Sequence, residues 1–218
     1  MKKRNSKNLL FIGCSALAAF VLWTVLVKYV NVNAIGPNGS SVGFSLINSA
    51  FHEFTGVHFW LYGLTDWLGL VPFFFMFGFA LLGLFQLIKR KSLFKVDFDI
   101  LALGIFYIIM TTVYLLFEVF PINYRPVLIN GILEVSYPSS TTLLVSCVMP
   151  TAAIQLKNRT KNPIINKTVV IAIDIFSVFM VLGRIISGVH WITDIIGGLL
   201  FSFGLVALYY SLINTKTK

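Results

Sequence analysis

The chain has 218 residues, of which 57% are hydrophobic and only 11% are charged, and its formal net charge at pH 7 is +9. Its mean hydropathy of +0.87 reflects apolar runs of about 20 residues, the length that a helix needs to cross a hydrocarbon core of about 30 Å. This composition excludes a water-soluble globular protein. It predicts an all-α, polytopic membrane protein.

Six apolar runs predict six transmembrane helices. The first run follows a basic N-terminus, and because it is longer than the apolar core of a signal peptide, we expect it to be retained. The polar, glycine-bearing segment 31–65 separates the first two helices, and we expect its aromatic part, residues 44–61, to lie at the outer membrane interface. The predicted helices cover about residues 9–30, 66–88, 99–120, 139–156, 168–186 and 190–214.

The distribution of basic residues predicts the orientation of these helices. Fourteen of the seventeen Lys and Arg residues fall in four clusters, each at a terminus or between predicted helices. Cytoplasmic segments of membrane proteins carry such clusters, so we predict a six-helix bundle with both termini inside. No cluster is interleaved with aromatic residues, and nucleic acid is therefore not an expected partner. The clusters are Lys2, Lys3, Arg4 and Lys7; Lys89, Arg90, Lys91 and Lys95; Lys157, Arg159, Lys161 and Lys167; and Lys216 and Lys218.

The three remaining basic residues, Lys28, Arg125 and Arg184, are predicted to lie on the outer side. Arg184 is followed by His190 and Asp194, and ionisable residues in an apolar region are costly, so they usually mark a function. On a helix, the i, i+4 spacing of His190 and Asp194 lets the carboxylate fix the imidazole tautomer and leaves the other ring nitrogen free as a nucleophile or base. The planar guanidinium of Arg184 suits phosphate. The pattern indicates phosphoryl transfer through a histidine; the structural alternative is that Asp194 only satisfies a histidine at a helix start.

The arrangement of Arg184, His190 and Asp194 resembles the third signature of the type 2 phosphatidic acid phosphatase (PAP2) family, S-R-x5-H-x3-D, with Gly183 in the place of the serine. The resemblance covers about residues 118–194. Within that range, two further motifs follow the family's order and spacing.

The segment from Glu118 to Pro126 resembles the first signature, K-x6-R-P. Arg125 and Pro126 match it, and the resemblance implies that Arg125 is a second phosphate ligand held in place by the proline. Glu118 occupies the position of the lysine and cannot bind phosphate directly. Either Glu118 pairs with Arg125 or Arg184 and orients it, or it marks the helix end at the interface.

The residues Pro138, Ser139, Ser140 and Thr141 resemble the second signature, P-S-G-H. Ser139 also fits the N-cap of the following helix, and the two interpretations agree because a helix N-terminus presents free N–H groups to an anion. Thr141 stands where the family has a histidine that is taken to protonate the leaving alkoxide. Threonine cannot take that role, because its pKa lies far above neutrality.

Three consequences of the missing histidine stay open. The leaving group needs little protonation, as in a diphosphate; another group protonates it, with His52 and His58 the remaining histidines; or the protein has kept the binding site without turnover. We interpret His52 and His58 mainly as interfacial residues beside aromatic side chains. Cys14 and Cys147 lie within apolar runs, far from any metal-ligand spacing, so neither a metal nor another cofactor is expected.

The resemblance implies a PAP2-like lipid phosphatase or diphosphatase that acts on a membrane lipid of the isoprenoid diphosphate or phosphatidate type. In this interpretation, His190 attacks the phosphorus to give a phosphohistidine, and Asp194 holds the imidazole. The implied site comprises the catalytic residues His190 and Asp194, the phosphate-binding residues Arg125, Arg184, Ser139 and Ser140, and the supporting residues Glu118, Pro126, Pro138 and Thr141.

We expect one integral-membrane domain, residues 1–218, in the plasma membrane, with its site facing the non-cytoplasmic side. The expected partners are the bilayer and a lipid phosphate substrate. Two alternatives keep the same fold. One is a binding or regulatory protein for lipid phosphates, and the other is a transferase that uses the same His190 and Asp194 to move a head group to a lipid alcohol.

Overall fold

The computed structural model describes residues 2–216, and the regular secondary structure within that range is helical, with three isolated β-bridges in the loops. Lys218 of the C-terminal basic cluster lies outside the described residues. Eight α-helices follow one another between residues 2 and 216: α1 (Lys2–Tyr29), α2 (Ser45–Thr55), α3 (Phe59–Leu68), α4 (Leu70–Arg90), α5 (Phe98–Val119), α6 (Ser140–Arg159), α7 (Pro163–Ile186) and α8 (Ile192–Lys216).

Five segments of the described chain are long and apolar enough to cross a membrane. They are Ser6–Tyr29, Phe59–Arg90, Phe98–Val119, Pro163–Ile186 and Ile192–Lys216, and they correspond to the first, second, third, fifth and sixth predicted helices. The prediction of an all-helical membrane protein is confirmed. The count of six spans and the placement of both termini inside stay predictions.

The fourth predicted helix, α6, forms but is not among the five apolar segments. Eleven of its 20 residues are buried, among them the polar residues Thr142, Thr151 and Gln155. It packs against α4, α5, α7 and α8. Protein therefore covers the polar side chains of α6, and this position explains why its sequence carries fewer apolar residues than its neighbours.

The segment predicted to lie at the interface forms two helices, α2 and α3. The second of these continues through Gly69 into α4, so that one apolar segment of 32 residues runs from Phe59 to Arg90. The second predicted helix began at Asp66, but the structure places Asp66 within α3. This shift brings Asp66 and Tyr62 close to the C-terminus of α7.

A cluster of aromatic residues fixes the chain that enters α6. The ring of Tyr137 stacks on Phe20 of α1, with ring centroids 6.4 Å apart, and meets Phe117 of α5 edge-on at 5.5 Å. The Tyr137 hydroxyl lies 2.7 Å from the hydroxyl of Thr24. The residues after Tyr137, which open α6, are therefore anchored to two other helices.

The two ends of α6 belong to different regions of the bundle. At its start, the backbone N–H of Ser139 donates to the carbonyl of Asp194 at 3.1 Å. At its end, Arg159 pairs with Asp99 at 3.0 Å, next to the basic loop that joins α4 and α5. Twenty helical residues rise about 30 Å, so the candidate site residues and the basic loops lie at opposite ends of the helices.

Close packing of α1 against α8 depends on small residues. A Cβ added at Gly204 would lie 2.9 Å from the Leu17 side chain and 3.0 Å from its backbone nitrogen, whereas a Cβ added at Gly78 of α4 meets nothing within 4 Å. We expect Gly204→Leu to lower the free energy of unfolding by about 1–3 kcal/mol, because overpacking forces the two helices apart. Thermal unfolding in detergent measures this change. The matched variant Gly78→Leu should unfold at the wild-type temperature, and equal losses in both variants would contradict the assignment.

Candidate phosphate site

His190 lies in the turn between α7 and α8, and a glycine shapes this turn. Gly188 has a φ of +67°, and a Cβ at this position would lie 1.8 Å from the carbonyl oxygen of Gly56, so a side chain does not fit there. The backbone N–H of His58 donates to the Ser187 carbonyl at 2.9 Å and ties the turn to the α2–α3 loop. The sequence predicted that α8 begins near His190; in the structure it begins at Ile192.

Asp194 therefore lies in the first turn of α8, with His190 just before the helix. The His190 Nδ1 and an Asp194 carboxylate oxygen are 3.8 Å apart, which is longer than a hydrogen bond. The same carboxylate accepts from the Trp191 backbone N–H at 3.0 Å and from the Asn123 amide at 3.2 Å. Asp194 thus caps the start of α8 and faces the imidazole without a hydrogen bond to it, and its role towards His190 stays a prediction.

Two arginines are buried on the same side of the bundle. Arg184, whose side chain is 1% exposed, donates to Asp66 at 2.8 Å and to the Thr141 hydroxyl. Arg125 forms an ion pair with Glu134 at 3.0 Å, although its N–H groups are not directed for a hydrogen bond. The Nε and Nη1 atoms of both arginines lack a hydrogen-bond partner within residues 2–216.

Tyr62 brings the two arginines to one place. The guanidinium carbon of Arg184 lies 4.8 Å from the centre of the Tyr62 ring, and that of Arg125 lies 5.6 Å from it. The electron-rich faces of aromatic rings attract cations in this geometry. The two positive charges are therefore held near each other by one tyrosine and by two separate carboxylates.

The start of α6 forms another wall of this region. Ser139 is its N-cap residue, but the Ser139 hydroxyl is buried without a hydrogen-bond partner among the described residues. Its backbone N–H is engaged by Asp194. The expectation that the Ser139 amide is free for an anion is therefore wrong, because that N–H fixes α6 to α8, and the hydroxyl is the available group. Ser140 is half-buried, and Pro138 is buried.

A polar cavity of about 440 Å³ opens beside these residues. Glu118 lines its wall but forms no ion pair in the described part of the chain, so of the two alternatives for this residue, the structure agrees with its position at the end of α5 and not with pairing to an arginine. Glu134 and Asp66 take that role instead. Pro126, next to Arg125, is half-buried outside the cavity wall. The cavity is lined by Tyr114, Glu118, Arg125, Glu134, Ser140 and His190, among others.

His190 is held in its neutral form. Burial lowers its pKa well below the usual range of histidine, and the positive charges of Arg125 and Arg184 lower it further. The backbone of Ser136 interacts with the ring and raises the pKa, which partly offsets these effects. Neither ring nitrogen, however, has the geometry of a full hydrogen bond within the described residues. A neutral imidazole next to two cations can act as a nucleophile or accept a proton.

Residues 116–218 match the family model of the PAP2 superfamily. The match covers the C-terminal part of the chain, which carries all three motifs. Its fold is similar to that of a crystal structure described as the first transmembrane PAP2-type phosphatidylglycerolphosphate phosphatase, from Bacillus subtilis, with a TM-score of 0.59 and 21% identity over 95% of this chain and 98% of the other. No curated protein matches the chain.

Several residues around this site carried no signal in the sequence. Tyr62 and Asp66 lie far upstream of the matched segment, and Asn123 and Glu134 occupy no position that a signature specifies. In the sequence, Asp66 stands out only as an acidic residue at the edge of an apolar run. The fold brings these residues to the arginines and to Asp194.

The two other histidines serve neighbouring structure. The His52 ring packs on Trp191, with centroids 5.5 Å apart, and burial lowers its pKa. The His58 Nε2 lies 3.0 Å from the Thr55 carbonyl. Neither residue lines the polar cavity as the described residues define it. These contacts favour the interpretation of both as structural residues.

The neutral state of His190 has a measurable consequence for stability. In the unfolded chain this histidine binds a proton near its ordinary pKa of 6.5, whereas in the folded chain its pKa is lower, so the unfolded state binds more protons below that pH. The free energy of unfolding therefore falls as the pH drops, by up to about 1.4 kcal/mol for each unit.

Chemical denaturation at about pH 7.5 and at about pH 5.5 measures this effect. We expect the free energy of unfolding to fall by about 1 kcal/mol more for the wild type than for His190→Gln over this range. Parallel losses in the two proteins would contradict the buried, neutral state.

Proposed function

We propose that this chain is a membrane lipid phosphatase or diphosphatase that works through a phosphohistidine. One observation supports this most strongly: Nη1 of Arg125 and both Nε and Nη1 of Arg184 have no hydrogen-bond partner among the described residues, although both side chains are buried near His190. Buried donors without partners are rare in folded proteins, because each costs free energy unless a ligand satisfies it. A phosphate group supplies acceptors for these donors, and its negative charge adds to that of Glu134 and Asp66.

In the proposed reaction, His190 attacks the phosphorus with Nε2. Asp194 faces Nδ1 and stabilises the positive charge that develops on the ring. Arg125, Arg184 and the hydroxyls of Ser139 and Ser140 bind the phosphate oxygens, where charge accumulates in the transition state. Water then attacks the phosphohistidine, releases phosphate and restores the neutral imidazole.

The proposed substrate is a lipid phosphate or diphosphate, of the isoprenoid diphosphate or phosphatidate type. A second cavity of about 410 Å³ supports this choice, because it adjoins the polar cavity and is lined mainly by apolar side chains of α4, α5 and α6, including Leu70, Phe73, Met110 and Leu144. A lipid can place its phosphate in the polar cavity and its first carbons in the apolar one. The structural neighbour is described as acting on phosphatidylglycerolphosphate, which belongs to this class of substrate.

We further propose that residues 1–218 form one domain with six spans, including α6, in the plasma membrane, and that both termini face the cytoplasm. The site then faces the non-cytoplasmic side. The support is the separation along α6: the basic loops lie at its Arg159 end, and the site lies at its Ser139 end.

A lipid-phosphate binding protein without turnover is the second candidate function. The observation in its favour is Thr141, which occupies the position of the family's acid histidine and whose hydroxyl is already bonded to Arg184. In this case the site retains the two arginines and His190, and it binds the head group without cleaving it.

The first test is substitution of the nucleophile. His190→Ala should abolish phosphate release from a lipid diphosphate or phosphatidate by the purified full chain in detergent, a loss of more than about 10³-fold. The matched variant His58→Ala, which removes a histidine outside the polar cavity, should keep the wild-type rate. Equal phosphate release by wild type and His190→Ala would refute the phosphatase. Binding of the lipid without release in the wild type would favour the second candidate.

The proposed orientation can be tested by cysteine labelling in intact cells. Ile132, exposed in the α5–α6 loop, and Lys161, exposed between α6 and α7, are suitable positions at the two ends of the bundle. A membrane-impermeant maleimide should label Ile132→Cys in intact cells and Lys161→Cys only after the membrane is opened. The wild type, with Cys14 and Cys147, gives the background. The reverse pattern would place the site on the cytoplasmic side.

A further inference from the structure

The polar and apolar cavities meet at two residues. Tyr114 and Ser140 line both cavities, whereas His190 and Arg125 line only the polar one and Thr141 only the apolar one. A substrate with its phosphate at His190 and its chain in the apolar cavity must pass this junction. The bond that breaks, from phosphorus to the lipid oxygen, therefore lies beside Tyr114 and Ser140.

The geometry of in-line displacement also places the leaving oxygen at the junction of the two cavities. The attacking nitrogen of His190 and the departing oxygen lie on opposite sides of the phosphorus. Because His190 lies in the polar cavity, the departing oxygen points away from it, toward the apolar cavity and the junction. An alkoxide that forms at this point is strongly basic and needs a proton.

Thr141, at the position of the family's histidine, does not supply this proton. Its hydroxyl accepts a hydrogen bond from Arg184, and an aliphatic hydroxyl is a very weak acid. Ser140 has the same weakness. His52 and His58 contact Trp191 and Thr55 and line neither cavity among the described residues. The phenol of Tyr114 is the most acidic hydroxyl at the junction.

We propose, on the basis of the phosphatase function above, that Tyr114 is the proton donor to the leaving group and replaces the missing histidine. The His190 nitrogen forms a bond to phosphorus while the phosphorus–oxygen bond to the lipid breaks. The electron pair stays on the lipid oxygen, which takes the phenolic proton. In the second step, the attacking water returns a proton to the tyrosinate, the phosphorus–nitrogen bond breaks, and its electron pair returns to His190.

The position of Tyr114 on α5 suits this role. Glu118 follows it by one helical turn, so the two side chains lie on one face of α5. Both residues line the polar cavity. Tyr114 thus lies on the wall of α5 that faces the phosphate and also reaches the apolar cavity.

The test compares substrates with different leaving groups. For Tyr114→Phe in the purified full chain, kcat/KM should fall by about 10²-fold or more on a phosphatidate-type monoester, whose alkoxide leaves poorly. The value should change little on an aryl phosphate or an isoprenoid diphosphate, whose leaving groups need no proton. Tyr114→His should restore much of the monoester activity, because it puts an acid back at the same place. Tyr210→Phe, on α8 at the other end of the bundle, is the matched control and should behave as the wild type.

Two results would overturn this assignment. Wild-type activity of Tyr114→Phe on the monoester would show that the proton comes from elsewhere. An equal loss on all substrates, without rescue by Tyr114→His, would show that Tyr114 only shapes the site. Both differ from failure of the phosphatase itself, in which the wild type and His190→Ala would give the same rate on every substrate.

Discussion

The site depends on keeping two like charges together inside the bundle. Arg125 and Arg184 are buried, and each would be costly to remove from water alone. The protein offsets this cost with separate carboxylates, Glu134 and Asp66, and with the shared ring of Tyr62. Arg184 is bonded through Nη2 and Arg125 is paired with Glu134 through Nε, and Nη1 of each has no hydrogen-bond partner among the described residues. The positive charge is thus concentrated at one place before an anion binds.

The same two charges determine the state of His190. Because they and the surrounding protein lower its pKa, the imidazole remains neutral without a strong hydrogen bond to Asp194. Asp194 meanwhile holds α8 to α6 through its carbonyl and caps α8 through its carboxylate. Its carboxylate also accepts from Asn123 in the first signature segment, so this one residue contacts all three segments as well as facing the ring. A substitution at Asp194 removes the carboxylate that caps α8 and binds Asn123, in addition to changing the electrostatics of the histidine.

The sequence predicted the long helices well, because the thickness of the hydrocarbon core imposes apolar runs that are visible without any tertiary information. It did not predict α2 as a helix, because polar and aromatic residues are mixed there, and it began the second span at Asp66 instead of at Phe59, where α3 begins. The turn at Gly188 could not be predicted, since its positive φ depends on a contact with Gly56, more than a hundred positions away. Arg125, Arg184, His190 and Asp194 were recognised from their spacing. Tyr62 and Asp66 were not, because only folding brings them near.

The polar composition of α6 has a consequence for how the protein is made. This helix buries Thr142 and Gln155 against its neighbours, and such polar side chains are costly to place alone in hydrocarbon. In the proposed six-span topology, α6 therefore has to partition into the bilayer together with α5 or α7, as a helical pair. Since the entry to α6 at Ser139 is fixed to Asp194 of α8 only in the assembled bundle, membrane integration and assembly of the candidate site are coupled events.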